Sequence, residues 1–470
     1  MRLKYILIPL LLISVLLTSV PAVAAEPGEN PDLSWPDGPS INADAAVVME
    51  LTTGTVLYEK NATKAEYPAS ITKIMTALLA VENCSMDEIV TFSDTAVYGN
   101  GTNSSSIGMN VGESLSMENC MYGMMLASAN EVAKAIGEHI SGDLDSFVDL
   151  MNKRAKELGA VNTHFANPNG LFDENHYTCA YDMALIAAAA AKNATFRKVA
   201  GTRVYVIPPT AMTDEDRWVA NTHQLINPSK HPQYGLSDCY AGKTGFTDES
   251  RYTLVSLCKR GNLDIVCVVM RAPKQVDQYE DSLNLIEYAF ENFSMTPISK
   301  LDSAPSFDNY SLFTKFSPLF DMENAPLSID TSSAIVLPNG ASYSDVVSTI
   351  SYEKLETINI GTNIIGAITY SYRGKDVGKT DILYESSESF SINTVNEEED
   401  KSEAETPEEP AEEKPKVNKV LIIIIIIIAS ILLILGFLYF YFIELPHRKK
   451  RRLYYEKRRK RIEKSDYIDI

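Results

Sequence analysis

From residue 45 the chain reads AAVVMELTTGTVLYEKN, two apolar-rich runs on either side of Thr53-Gly54. Strand-forming runs bounded by a short turn predict a β-hairpin. The pattern then changes period. In YPASITKIMTALLAVE, Tyr67 to Glu82, the apolar residues Ile71, Ile74, Met75, Leu78, Leu79 and Val81 wrap most of a helix surface. Helical patterns dominate from about Leu115 to Ala200, in CMYGMMLASANEVAKAIGEHI, LDSFVDLMNKRAKELG and MALIAAAAAKNATF. The alanine run predicts a buried helix. After Asp238 strands return in CYAGKTGFT, RYTLVSLCKR and DIVCVVMRA, and DQYEDSLNLIEYAFENF closes the segment as a helix. Strands at both sequence ends with helices between them predict one sheet built from both ends, with helices packed on it. From about Lys300 to Thr394 the helical period fades. SSAIVLPNGAS, TINIGTNIIGAITYSYRG and GKTDILYESSESFSI predict a small β-domain. It has no cluster of catalytic residue types, which favours a spacer or interaction module.

The two ends of the chain carry a different pattern. Arg2 and Lys4 precede an apolar run from Ile6 to Val20, followed by Ala22, Val23 and Ala24. A charged start, an apolar stretch and an A-x-A site predict a secretory signal peptide over residues 1–25. Near the other end, VLIIIIIIIASILLILGFLYFYFI, Val420 to Ile443, is uncharged and long enough to cross a bilayer. HRKKRRLYYEKRRKRIEK follows, and a basic block beside a span is expected in the cytoplasm. The acidic, Pro-containing segment before the span predicts a self-repelling spacer. The expected division is therefore a signal peptide at 1–25, a catalytic domain at 35–298 and a β-domain at 300–395. A linker at 396–419, a membrane helix at 420–443 and a basic tail at 444–470 follow. This predicts a single-pass protein of the cell membrane, with the catalytic domain outside.

At 470 residues the chain is too long for one ordinary core. Its formal charge of −20, with no basic face in the body, excludes a nucleic-acid binder. The cysteines, Cys84, Cys120, Cys179, Cys239, Cys258 and Cys267, show no paired C-x-x-C metal spacing. An even number in an exported chain permits disulfides, but a core of this size needs no staples, so buried free thiols are favoured. Cys258 and Cys267 flank KRGNLDIV and fit neighbouring hairpin strands.

Lys73 breaks the apolar pattern of its helix, three residues after Ser70. The plainer reading makes Ser70 an N-cap and lets Lys73 snorkel to water. Two further motifs weigh against it. Ser128-Ala129-Asn130 opens another helical stretch, and Lys243-Thr244-Gly245 lies on an expected strand. Serine needs a base to become a nucleophile. On a helix, residues i and i+3 share a face, and burial disfavours the charged ammonium, leaving a neutral lysine amine that can act as a base. Ser128 can relay a proton and Asn130 can bond a substrate amide. Lys243 brings charge for a substrate carboxylate. A strand edge at Thr244 to Phe246 can pair with an extended peptide, with Gly245 allowing close approach.

S-x-x-K, S-x-N and K-T-G in this order mark penicillin-recognising serine enzymes. From about Pro39 to Phe293 the chain resembles the serine-type D-Ala-D-Ala carboxypeptidases, the low-molecular-mass penicillin-binding proteins of the DacA type (peptidase S11 family). Further marks are NADAAVVMELTTGTVLYEKNA, THFANPNGLFDENHYTCAYDMALIA, and NTHQLIN before DCYAGKTGFTDES. The resemblance implies an α/β (α+β) fold of the serine β-lactamase and transpeptidase type, with helices on an antiparallel sheet. It implies Ser70 as nucleophile, Lys73 as base and Ser128 with Lys243 as proton relay. Asn130, Lys243, Thr244, Gly245 and Phe246 would bind substrate, and the N–H groups of Ser70 and Phe246 would hold the oxyanion. Ala129 and Phe246 depart from the commoner glycine and histidine. No metal or other cofactor is implied. The expected partners are peptidoglycan stem peptides ending in D-Ala-D-Ala, with β-lactams as inhibitors. His176 reads as structural, because a lysine already supplies the base. A class A β-lactamase is disfavoured by the lack of E-x-x-L-N between Ser128 and Lys243. A DD-endopeptidase, or a non-catalytic β-lactam sensor or wall-binding receptor, remains as an alternative.

Overall fold

Strands β1 (Ala45–Glu50) and β2 (Val56–Lys60) form the expected hairpin, turning through Gly54 at a φ of 73°. Glu50 closes that turn from within, its carboxylate accepting the N–H groups of Thr52 and Thr53 and the Thr53 hydroxyl. A 3-10 turn, Ala69–Thr72, leads into α1 (Lys73–Asn83). Short strands β3 (Ile89–Thr91) and β4 (Ser114–Ser116) pair around the single-turn α2 (Asp94–Val97). The helical region comprises α3 (Met117–Leu126), α4 (Asn130–Ser141), α5 (Leu144–Glu157), α6 (Ala180–Ala191) and α7 (Ala194–Gly201). A hairpin not read from the sequence follows, β5 (Val204–Ile207) with β6 (Arg217–Ala220). Then come β7 (Cys239–Thr247), β8 (Arg251–Arg260), β9 (Leu263–Ala272) and α8 (Gln275–Asn292).

This computed structural model describes residues 35–101, 104–298, 327–330, 332–353, 355 and 357–391. The signal peptide, linker, membrane helix and basic tail expected from the sequence lie outside the described residues. Among the described residues, no helix is long and apolar enough to cross a membrane.

The main sheet has five strands in the order β2-β1-β9-β8-β7, all antiparallel. Both ends of the segment thus supply strands, and the three interior ones, β1, β9 and β8, are buried on both faces. Alternation assigns each side chain. Val47 and Met49 of β1 and Val266, Val268 and Met270 of β9 face the helical layer. Ala46 and Val48 of β1 and Ile265, Cys267 and Val269 of β9 face α8. Each fully buried Val, Ile or Met contributes about 1.5–3 kcal/mol relative to exposure. Helix α1 runs through the middle of the helical layer, buried from Lys73 to Ala80.

Two helical stretches are interrupted where periodicity ran on. Residues 127–129 separate α3 from α4, and Ser128 sits there at a φ of 61°. Asn193 ends the alanine run and caps α7, its side chain accepting from the N–H groups of Thr195 and Phe196. The cysteines are free thiols. Cys258 and Cys267 do occupy adjacent strands, but they are not opposite each other. Cys258 faces Ile265 on β9 and Cys239 on β7.

Beyond α8 the described residues are mostly strand, with a 3-10 turn at Tyr343–Asp345. β10 (Phe293–Pro297) and β11 (Leu327–Ile329) come first, then β12 (Ala334–Pro338) and β13 (Val346–Tyr352). β14 (Thr357–Ile358), β15 (Gly361–Tyr372), β16 (Lys375–Ser386) and β17 (Phe390–Ser391) follow. They form a sheet β11-β16-β15-β13 and the pairs β10-β12 and β14-β17. Ile335, Ile368, Tyr372 and Ile382 lie at the centre of their core. Trp35 stacks obliquely on Phe293, and Lys375 lies over the same indole.

Candidate active site

Ser70 does not cap α1. It occupies the 3-10 turn before it, and neither end of that turn carries a side-chain cap. The preceding residue, Ala69, has a φ of 51°. A left-handed alanine is strained, and such strain persists only where packing imposes it. Gly170 makes room for the turn: a Cβ on Gly170 would fall 1.9 Å from the Ala69 carbonyl oxygen. The turn keeps Ser70 at the mouth of a cleft of about 300 Å³ whose wall includes Ser128, Asn130, Thr244, Gly245 and Phe246.

Lys73 lies behind that wall with no solvent exposure. Its Nζ is 3.0 Å from Ser70 Oγ, and it donates at 2.7 Å to both Asn130 Oδ1 and the Asn169 carbonyl oxygen. Burial holds its pKa well below the ordinary lysine value, and the neighbouring Lys243 adds to the effect, with Glu131 opposing it. The amine is thus driven toward the neutral form that a base requires. Asn130 stands at the N-terminus of α4, at the other side of the cleft. Its Oδ1 is engaged by Lys73, which leaves its amide N–H₂ free of that bond at the cleft wall.

β7 carries Lys243, Thr244, Gly245 and Phe246 along the open edge of the sheet. Ala241, Lys243 and Gly245 alternate onto the helical face. Lys243 is 1% exposed, and burial pushes its pKa down to about 7. It is set behind the cleft wall, an arrangement suited to passing protons more than to a fixed positive clamp. Thr244 Oγ1 shares a 2.7 Å hydrogen bond with Thr222. Gly245 packs directly against the turn that carries Ser70. A Cβ there would lie 2.3 Å from Thr253 Oγ1 and 2.9 Å from the Ser70 nitrogen. Phe246 is 48% exposed and packs its ring on Tyr252.

His176 is not part of this group. Its Nδ1 accepts the Ala166 N–H, so its proton sits on Nε2 and is donated to Thr72 Oγ1 at 2.8 Å. Burial pushes it down to about 4. It braces the Ser70 turn as a neutral ring. Three participants escaped sequence reasoning. Asn169 acts through its backbone carbonyl, Thr222 through its link to Thr244, and Gln278 lines the cleft from α8. The first two lie in NPNG and NTHQ, which read only as family marks. A larger hollow of about 1080 Å³ lies at the opposite end of the sheet, near the β8–β9 turn and away from Ser70.

The D-alanyl-D-alanine carboxypeptidase family model (peptidase S11) matches residues 33–274. The chain is 36% identical over 265 residues to the D-alanyl-D-alanine carboxypeptidase DacF of Bacillus subtilis, covering 55% of this chain and 64% of that one. It is 26% identical over 367 residues to DacA of Haemophilus influenzae, covering 73% and 84%. Among solved structures, the Streptomyces K15 DD-transpeptidase matches with a TM-score of 0.50 and 29% identity, over 55% of this chain and all (100%) of that one. Penicillin-binding protein 5 of Haemophilus influenzae shares the fold over 75% of this chain and 99% of its own, with a TM-score of 0.60 at 24% identity. The antiparallel sheet with its helical layer is the penicillin-binding, transpeptidase-like fold, and the chain belongs to the D-alanyl-D-alanine carboxypeptidase family of serine hydrolases.

Proposed function

We propose that this protein is exported, held at the membrane by its C-terminal helix, and removes the terminal D-alanine from peptidoglycan stem peptides. The observation that carries the mechanism is the set of contacts around Lys73. Asn130 Oδ1 and the Asn169 carbonyl can only accept, so they take both N–H bonds of a neutral amine. The amine lone pair is left for the Ser70 hydroxyl, 3.0 Å away. Ser70 gives its proton to Lys73 as its oxygen attacks the carbonyl carbon between the two D-alanines. The oxyanion is held by the backbone N–H groups of Ser70 and Phe246, in the close approach that Gly245 permits. The proton passes from Lys73, by way of Ser128, to the departing D-alanine nitrogen, and Lys243 supports that relay. Water then cleaves the ester on Ser70, with Lys73 again accepting a proton. β-Lactams would acylate the same serine.

The test is D-alanine release from a peptide ending in D-Ala-D-Ala, using the full chain in mild detergent. Release is expected from the native protein, none from Ser70→Ala, and a loss of at least about 10²-fold in Lys73→Met. If Ser70 is labelled by a fluorescent penicillin yet no D-alanine appears, the carboxypeptidase proposal fails and an endopeptidase or sensor replaces it. If neither occurs, Ser70 is not the nucleophile.

A further inference from the structure

Three donor groups meet at the far end of the helical layer, remote from Ser70. Cys84 caps α1, its N–H bonding the Ala80 carbonyl. His139 lies in the last turn of α4. Glu88 stands just before β3, with its backbone carbonyl accepting from Met117. Cys84 Sγ, a Glu88 carboxylate oxygen and a His139 ring nitrogen all lie within 4.8 Å of one another, each side chain half-buried. We propose that these three residues form a binding site for a divalent transition metal, Zn²⁺ above all, with water as the fourth ligand.

The donor chemistry selects the ion. Thiolate, imidazole and carboxylate together suit borderline-soft Zn²⁺, whereas Ca²⁺ and Mg²⁺ require oxygen-rich sets. Zinc bonds of roughly 2.0–2.3 Å put tetrahedral donors about 3.3–3.8 Å apart, so the three groups close on an ion by moving about 1 Å. Glu88 is already oriented. One of its carboxylate oxygens accepts the Ser85 N–H at 2.6 Å, and the other lies 2.9 Å from His139 Nε2. An ion would replace the proton in that second contact. The C-terminal ends of α1 and α4 also converge here, and the partial negative charge of their last carbonyls favours a cation. On binding, the Cys84 S–H bond is exchanged for a sulfur–metal bond and one proton leaves to solvent.

The place in the fold says what such an ion would do. Helix α1 begins with Lys73 and α4 with Asn130, whose side chains meet at 2.7 Å. An ion joining the opposite ends of the same two helices, about 16 Å away along α1, would fix their relative placement. Its role is to position, and it stands apart from the reaction proposed above. Nothing in the sequence flags it, because Cys84, Glu88 and His139 share no zinc-ligand spacing.

The test titrates Co²⁺ into the chelator-treated, reduced full chain and then displaces it with Zn²⁺. One equivalent of Co²⁺ should produce a thiolate-to-cobalt charge-transfer band in the near ultraviolet. One equivalent of Zn²⁺ should bleach that band and raise the Tm. Cys84→Ser should lose the band, and His139→Gln should bind Zn²⁺ at least about tenfold more weakly. Circular dichroism reports whether each variant folds. If Cys84→Ser does not, the His139→Gln affinity decides. No saturable uptake, uptake without a thiolate band, a band that survives Cys84→Ser, or unchanged affinity in His139→Gln would each overturn the site.

Discussion

At the scale of single residues, burial pushes four basic groups toward their neutral forms. Lys73 and Lys243 are held below the lysine range for that reason, and His176 and His223 are pushed down to about 4 and about 3 from 6.5. The histidines set a pH dependence whose sign is fixed. Their folded values lie below the unfolded value, so their contribution is complete above pH 6.5. As pH falls, the unfolded chain takes up protons that the folded chain refuses. Stability should therefore drop from pH 6.5 toward about 4, by up to about 1.4 kcal/mol per pH unit for each histidine. Urea midpoints measured across this range should show the slope, and His176→Gln should flatten it. An unchanged slope in that variant would remove His176 from the account. Its bracing role was legible only as a default, since the sequence shows a histidine near a tyrosine and no hint of Thr72.

At the scale of elements, the site is a junction of one turn, two helix starts and one strand edge. Gly245 is where strand and turn touch. A Cβ there meets Thr253 Oγ1 and the Ser70 nitrogen, and neither is the free end of a long side chain. Gly245→Ala should push β7 away from Ser70. Misplacement on the order of 1 Å costs about 10²-fold in rate. Acylation by penicillin, followed by stopped-flow fluorescence, should slow by that order while far-ultraviolet circular dichroism stays native. Acylation at the native rate would show that β7 has no part in holding the reacting carbonyl. The elements themselves were largely legible: α1, α4, α5 and β7 to β9 follow from period and length. The break at 127–129 was legible only in part: Ser128-Ala129-Asn130 reads as the start of a helix, but Ala127, Ser128 and Ala129 carry no signal that stops the preceding one. It is the packing around Ser128 that holds it at a φ of 61°.

At the scale of the whole molecule, the proposed topology puts the cleft outside the cell and the basic tail inside. Intact cells expressing the full chain should label at Ser70 with a membrane-impermeant penicillin. Externally added protease should digest the acidic linker and leave the tail protected. A tail epitope cleaved from outside would reverse the orientation. The β-domain lies between the catalytic domain and that linker in sequence. The packing of Lys375 over Trp35 joins it to the start of the catalytic domain.

What was readable in advance was whatever depends on residue type at short range. Ser70 and Lys73 share a helix-spaced face, and alternation marks the strands. These follow from backbone geometry that any chain obeys. What was hidden depends on contacts between residues far apart. Lys73 meets the Asn169 carbonyl across 96 residues of sequence, and a backbone carbonyl carries no residue-type signal at all. The left-handed Ala69, the burial of Lys243 and the meeting of Cys84, Glu88 and His139 belong to the same class. Desolvation and strain are properties of the packed surroundings, so they come into being only when the chain has folded.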